Sequence, residues 1–291
     1  MIRRFVVGAI LLIGSTGWLP AQQAAITFRS TDVAEGVTML EGQGGFAGGN
    51  LGLLTGSDGV ILIDDALEPL AETVIRAVED HAGRPVDFVI NTHVHGDHIG
   101  GNAALHESGA LIVTHDNIRH RMLEEDVAED ALPIITFSDA VTFHLNGQRA
   151  FVFHVANAHT DGDAVIHFPD VNVVHTGDLH FNGMFPFIDL DRGGSVAGYL
   201  AGQEEILELA DSDTKIIPGH GPLASEADLQ AAHDMLADAL ARVGKLVDAG
   251  KSQAEILAEN PLGPYHDDWN WDFITTERMT QTLYRSLTEN N

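Results

Sequence analysis

Cysteine is absent from all 291 residues, which excludes disulfides, thiolate metal ligands and a cysteine nucleophile. Positive charge is scarce. Lys and Arg total 15 against 43 Asp and Glu, a formal net charge of -28. Such a surface repels phosphate backbones and anionic lipid, so nucleic acid and membrane surfaces are excluded as general partners. Beyond the N-terminus no apolar run approaches the length of a membrane span, and there is neither a low-complexity linker nor a short-period repeat. Hydrophobic residues make up 44% of the chain, enough for a sizeable core, which excludes a disordered or collagen-like protein. What is abundant is histidine, 16 in all.

The chain starts Met1-Ile2-Arg3-Arg4, runs almost wholly apolar from Phe5 to Leu12, and passes through small and turn residues to Ala21. A charged start, a short apolar run and a small-residue region predict a secretory signal peptide over residues 1–21. Its removal takes away Arg3 and Arg4 and no acidic residue. The expected location is periplasmic or secreted, with no membrane attachment beyond the export signal.

After it, strand and helix patterns alternate. Leu51-Gly52-Leu53-Leu54, a Gly56-Ser57-Asp58-Gly59 turn and Val60-Ile61-Leu62-Ile63 read as strand, turn and buried strand. Leu70, Val74, Ile75 and Val78 fall at helical spacing over 67–82. Val86 to Ile90 and Leu111 to Val113 read as strands, and 116–126 as a helix. The second half repeats the order, with strands at 141–143, 150–153, 164–167, 171–174 and 215–217. Helices are expected at 195–210, over Leu229 to Val247 and at 273–288. An α/β protein of two face-to-face sheets with outer helices buries this pattern.

The strand ending at Ile90 runs into Asn91-Thr92-His93-Val94-His95-Gly96-Asp97-His98. His93 and His95 are two apart, so an extended backbone points both rings the same way. Gly96 lets the chain turn, and Asp97 and His98 then aim at a second nearby point. One loop thus offers ligands to two adjacent metals. Each zinc needs about three protein ligands and an open position for water, so further ligands must come from other strand ends. Suitable residues stand in His159-Thr160-Asp161-Gly162-Asp163, in Thr176-Gly177-Asp178 and at His220.

These elements, in this order, resemble the metallo-β-lactamase superfamily over roughly residues 30–222. The carriers are Thr92 to His98, His159, Gly177-Asp178 and Pro218-Gly219-His220-Gly221. The resemblance implies a four-layer αββα sandwich of two mixed sheets in one hydrolase domain over 22–291, with a C-terminal helical tail. It implies two Zn2+ per chain, the first held by His93, His95 and His159 and the second by Asp97, His98 and His220. Asp178 would contact one or both. Many zinc β-lactamases carry Cys where this chain has Asp178 and a substrate-binding Lys soon after; here Leu179-His180-Phe181 follows. Asp at this position is similar to glyoxalase-II-like thioesterases, and a carboxylate also admits Fe or Mn.

Two cations sharing a water lower its pKa toward neutrality, so a metal-bound hydroxide is the expected nucleophile. Asp97 is the candidate catalytic residue, orienting that water as well as binding metal. The expected function is an exported dinuclear zinc hydrolase of a small molecule, foremost a cyclic amide such as a β-lactam, even as a weak or promiscuous activity. Lactone, thioester or phosphodiester hydrolysis by the same site, and zinc binding without turnover, are the alternatives. Oligomeric state is left open. Asp64 and Asp65 either accept a ligand-histidine N–H or cap the helix that follows. Asp163 is either a similar support or a strand-start polar residue. The Gly-rich stretch 42–49 reads as a hairpin, and the resemblance makes Phe46 a substrate flap. Trp269 and Trp271 read as core or tail packing rather than a binding platform; His115, His120, His144, His154 and His233 as ordinary; His180 and Asn182 as facing the substrate or not.

Overall fold

The structure, a computed structural model, describes residues 25–289; the expected export signal at 1–21 lies outside the described residues. Thr27–Ala34 (β1), Val37–Gln43 (β2), Leu51–Thr55 (β3), Val60–Ile63 (β4), Phe88–Ile90 (β5), Leu111–His115 (β6) and Ile135–Phe137 (β7) form one sheet in that order. Pairing is antiparallel from β1 to β4 and parallel from β4 to β7. Ala140–Leu145 (β8), Gln148–His154 (β9), Ala164–Phe168 (β10), Val173–His175 (β11), Lys215–Ile217 (β12) and Ala224–Ser225 (β13) form the second, also in chain order. Only β11 and β12 pair parallel there.

Alternation of side chains builds the layers. In β4 every residue is buried. Ile61 and Ile63 face the second sheet, meeting the cluster of Val152, Ile166 and Ile217. Val60 and Leu62 face outward onto Val74, Val78 and Leu105. The second sheet repeats this: Ile166 and Val173 point inward, Val165 and Val174 outward. The outer helices of the first half are Ala71–Ala82 (α1), Gly96–Ile99 (α2), Asn102–Glu107 (α3) and Asp116–Glu124 (α4). Those of the second are Val196–Leu209 (α5), Glu226–Asp248 (α6), Gln253–Glu259 (α7), His266–Trp269 (α8) and Thr276–Thr288 (α9). Capping boxes start α6 and α7, from Ser225 with Asp228 and Ser252 with Glu255. The result is the expected αββα sandwich. Among the described residues no helix is long and apolar enough to cross a membrane.

Boundaries differ where local chemistry intervenes. The strand expected from Val86 begins at Phe88, because Asp87 turns its carboxylate back to accept the Val60 amide at 2.8 Å. The helix expected from 67 begins at Ala71, after a 3-10 turn containing Pro69. β7, β13, α3, α7 and α8 had no periodic signal, being too short to show one.

Candidate metal centre

The loops after β5, β9, β11 and β12 converge. Ligand-type atoms of His93, His95, His159 and Asp178 lie within 4.8 Å of one another, as do those of Asp97, His98 and His220. The two groups meet at Asp178. Its Oδ2 is 3.6 Å from His93 Nε2 and 3.4 Å from His159 Nε2, while its Oδ1 is 3.3 Å from His98 Nε2 and 3.4 Å from His220 Nε2. One carboxylate thus faces both sets of imidazoles. Asp97 Oδ2 stands 3.5 Å from His220 Nε2 and 3.7 Å from His98 Nε2 and is reached by solvent. All seven residues singled out in the sequence come together.

Local backbone makes room for this crowding. Asp178 rides on the turn Gly177–Leu179 that follows β11. A Cβ on Gly219 would run into Asp178 Oδ1, and one on Gly49 into the His98 ring. Only a hydrogen fits at either place.

The imidazoles are held from behind. Asp64, fully buried, accepts the Thr92 amide at 2.7 Å, the Thr92 hydroxyl at 2.8 Å and His98 Nδ1 at 2.7 Å. Thr92 Oγ1 in turn accepts His93 Nδ1 at 3.0 Å. Asp64 therefore orients one ring of each group, and it caps neither helix. Asp65 accepts the Gly101 amide at 2.8 Å and touches no ligand ring. His159 Nδ1 donates to the Phe187 carbonyl at 2.7 Å. His95 Nε2 donates to Asp189 at 2.9 Å, leaving Nδ1 toward His159. Sequence reading missed Asp189, since nothing in Asp189-Leu190-Asp191-Arg192-Gly193 differs from an ordinary turn. Asp163 braces the His159 loop by accepting the Thr160 amide at 2.8 Å and hydroxyl at 2.5 Å.

Electrostatics follow from burial in this cluster. Burial drives His93 well below the ordinary imidazole range, aided by neighbouring His98, and takes His159 to about 3. Both rings are neutral and keep a lone pair. Burial opposes a charge on His98 too, yet Asp178, Asp97 and Asp64 around it raise it well above the usual range. Burial likewise works against the Asp178 carboxylate, but His220 and His98 hold it well below the usual range. The carboxylates thus demand positive charge at this point. His93 Nε2, His98 Nε2 and Asp178 Oδ1 are buried without a hydrogen-bond partner. Buried polar atoms are rarely left so; metal ions satisfy all of them at once, and the donor set of imidazoles and carboxylates fits zinc.

The surroundings amend one reading and decide another. Trp271 lines the cleft over the centre, together with Phe46, Phe181, Phe187 and Phe273, in a cavity of about 860 Å³; it is more than tail packing. His180 is buried with both ring nitrogens unpartnered and does not line the cleft, and Asn182 donates to the Pro222 carbonyl. His115, His120, His144, His154 and His233 stand in neither ligand group. Residues 44–50 connect β2 to β3, and Phe46, 61% exposed, lies 6.2 Å from and nearly parallel to the His220 ring.

A family model described as "Metallo-beta-lactamase superfamily" matches residues 44–220, more than half of the chain. A hydroxyacylglutathione hydrolase from Pelagibacter ubique (strain HTCC1062) is 32% identical over 113 residues, covering 38% of this chain and 43% of that protein. The chain therefore spans less than half the length of that relative. A metallo-β-lactamase type 2 from Bacillus cereus is 23% identical over 186 residues, covering 63% of this chain and 71% of that one. Among solved structures, the metallo-β-lactamase FIM-1 from Pseudomonas aeruginosa in its mono-zinc form superposes with a TM-score of 0.61 at 21% identity, covering 73% of this chain and 96% of that one. At that identity the likeness is one of fold.

Proposed function

The chain belongs to the metallo-β-lactamase superfamily, and on that premise we propose that it is an exported hydrolase with two zinc ions that opens an activated acyl carbonyl of a small molecule, a cyclic amide such as a β-lactam among its substrates. The observation that carries the reading is Asp178, whose two oxygens face two separate imidazole groups. His93, His95 and His159 would hold one ion, Asp97, His98 and His220 the other, with Asp178 shared. Bound there, two cations acidify a water and stabilise an oxyanion by Lewis-acid interaction.

The chain's own residues supply the rest. Asp97, the solvent-reached carboxylate of the centre, orients the attacking water as well as holding the second ion. Asp64 and Asp189 fix the tautomers of His98 and His95 by accepting from the nitrogen turned away from the centre. The aromatic rings of the cleft exclude bulk water from the reacting carbonyl. Imidazoles dominate the donor set, which favours zinc, while Asp178 leaves Fe or Mn admissible. The N-terminal segment supports a periplasmic or secreted location, which counts against a cytosolic glutathione thioester as substrate.

The test is a substrate panel with purified protein: a chromogenic cephalosporin, a lactone, a thioester and bis-p-nitrophenyl phosphate, each with and without chelator, alongside metal analysis. The expected result is two zinc per chain and chelator-sensitive turnover of the acyl compounds. Zinc-loaded protein inert to all of them overturns the hydrolase reading in favour of zinc binding alone.

A further inference from the structure

The cleft above the centre has walls of one chemical kind. Phe181 stacks on His220 at 4.9 Å between centroids, Trp271 lies 6.1 Å from Phe181, and Phe273 lies 5.5 Å from Trp271. Phe187 follows, 5.4 Å from Phe273 and 5.5 Å from His95. A continuous chain of rings thus runs from one ligand group to the other. Contacts behind the wall tie several of these rings down. The Trp271 indole donates to the Phe185 carbonyl at 2.9 Å, and the Phe185 amide to the Trp269 carbonyl at 2.8 Å. The guanidinium of Arg278 lies over Phe273 at 4.1 Å and over Phe187 at 5.4 Å. Phe46 and Phe273 are 61% and 46% exposed at the cleft. Exposed rings beside a concave apolar site mark a place for a ligand.

Charge narrows the ligand. Arg192 is the one Lys or Arg among the described residues lining the cleft, against Glu68, Asp97, Glu125 and Asp178. Its guanidinium is already engaged. It donates to Glu125 at 2.7 and 2.9 Å and to Asp189 at 3.2 Å. Among the described residues lining the cleft, no cation is left free to pair with a carboxylate or phosphate at the far end of an acyl chain, and Arg278, over Phe273 and Phe187, is not part of that lining.

We infer that the cleft grips an uncharged apolar acyl chain through Phe187, Trp271 and Phe273, so that among the acyl compounds the centre opens it prefers those of medium-length aliphatic or aryl acids, and acyl groups ending in an anion find no partner there. The inference rests on the hydrolase reading for its chemistry and on the wall alone for its selectivity.

The experiment compares kcat/KM for p-nitrophenyl esters from acetyl to octanoyl with the zinc-loaded protein. It adds the hexanoyl ester against its adipoyl counterpart, and binding of octanamide by calorimetry. A fully buried methylene is worth about fourfold, so with partial burial the rise from acetyl to octanoyl is expected to reach roughly 50-fold. Phe273→Ala should cut that rise to about tenfold or less and weaken octanamide binding by about fivefold. The adipoyl ester should react about tenfold more slowly than the hexanoyl ester, and Glu125→Gln, which removes the charge paired with Arg192 Nε and Nη2, should close that gap severalfold. Chelator-sensitive hydrolysis with a flat chain-length profile and no octanamide binding overturns the inference and leaves the hydrolase reading standing. Octanamide binding weakened by Phe273→Ala, with no ester hydrolysed, supports the cleft assignment and overturns the hydrolase reading. Failure of both overturns both.

Discussion

Replacing Asp64 with Asn changes one buried atom and should disturb both ligand groups. Asp64 sits at φ 58, a left-handed conformation that Asn adopts readily, so the backbone is spared. The amide oxygen can still accept the Thr92 amide. The new NH2, however, faces two donors, the Thr92 hydroxyl and His98 Nδ1, both of which now meet a carboxylate oxygen. A hydrogen bond to a charged group contributes about 1.5–3 kcal/mol, and a buried donor left unmatched costs about 1–3 kcal/mol. The Thr92 hydroxyl can rotate away; the His98 ring cannot without giving up its ligand orientation. The expected loss is therefore about 3 kcal/mol, read as a lower urea midpoint in the presence of chelator. Zinc affinity should fall about 10- to 100-fold, measured by competition with a chromophoric chelator, and in both groups, since His93 leans on Asp64 through Thr92. Asp65→Asn is the paired control. Burial holds the Asp65 carboxyl well above the usual carboxylate range, which disfavours its charged form. An amide replaces it with a loss of about 1 kcal/mol or less. Equal effects of the two substitutions, or wild-type zinc affinity in Asp64→Asn, would refute the reasoning.

Asp178→Asn should reduce bound zinc below two per chain, since both groups face this carboxylate; elemental analysis after dialysis reads it directly. Gly219→Ala drives a methyl into Asp178 Oδ1, so a stability loss of about 1–3 kcal/mol is expected from overpacking, together with weaker zinc binding, and a crystal structure of the variant should show Asp178 displaced. His115 stacks on His154 at 3.7 Å, and burial, helped by His154, lowers its pKa below 6.5. The unfolded chain therefore takes up the proton first. This group's contribution to stability is complete above 6.5 and is lost as pH falls from there through its lowered folded-state value, so the urea midpoint should drop on acidification, and less steeply in His115→Gln. Saturating zinc at about a thousand times its dissociation constant should add roughly 4 kcal/mol to stability, and chelation should remove it, read as a fall in melting temperature.

The ligand motif was legible because it is local. Spacing of His93, His95, Asp97 and His98 along one loop fixes where their rings aim, whatever the rest of the fold does. The sandwich was legible for a similar reason: runs such as Val60–Ile63 carry their burial in their composition. What holds the ligands was not. Asp64 meets Thr92 because β4 pairs parallel with β5, Ile63 opposite Ile90, and no sequence pattern states that pairing. Asp189 reaches His95 across 94 positions. Trp271 looked like packing, and in part it is, since it lies against the core beside α5 and α6; its other face is seen only once the C-terminal segment is folded back onto Phe185.

That folded-back segment has a consequence for how the protein comes into being. The polypeptide is made from the N-terminal end, and the last metal-group residue to appear is His220. Trp271 and Phe273 arrive only after α6 and α7 have been added, yet they clasp the stretch whose Phe187 carbonyl steadies His159. All seven metal-group residues are therefore in the chain before the aromatic roof of the cleft has been made. The apolar wall of the cleft is thus the last part of the site to be synthesised, and a chain cut after α7 would keep every residue of the metal groups and lack Trp271 and Phe273.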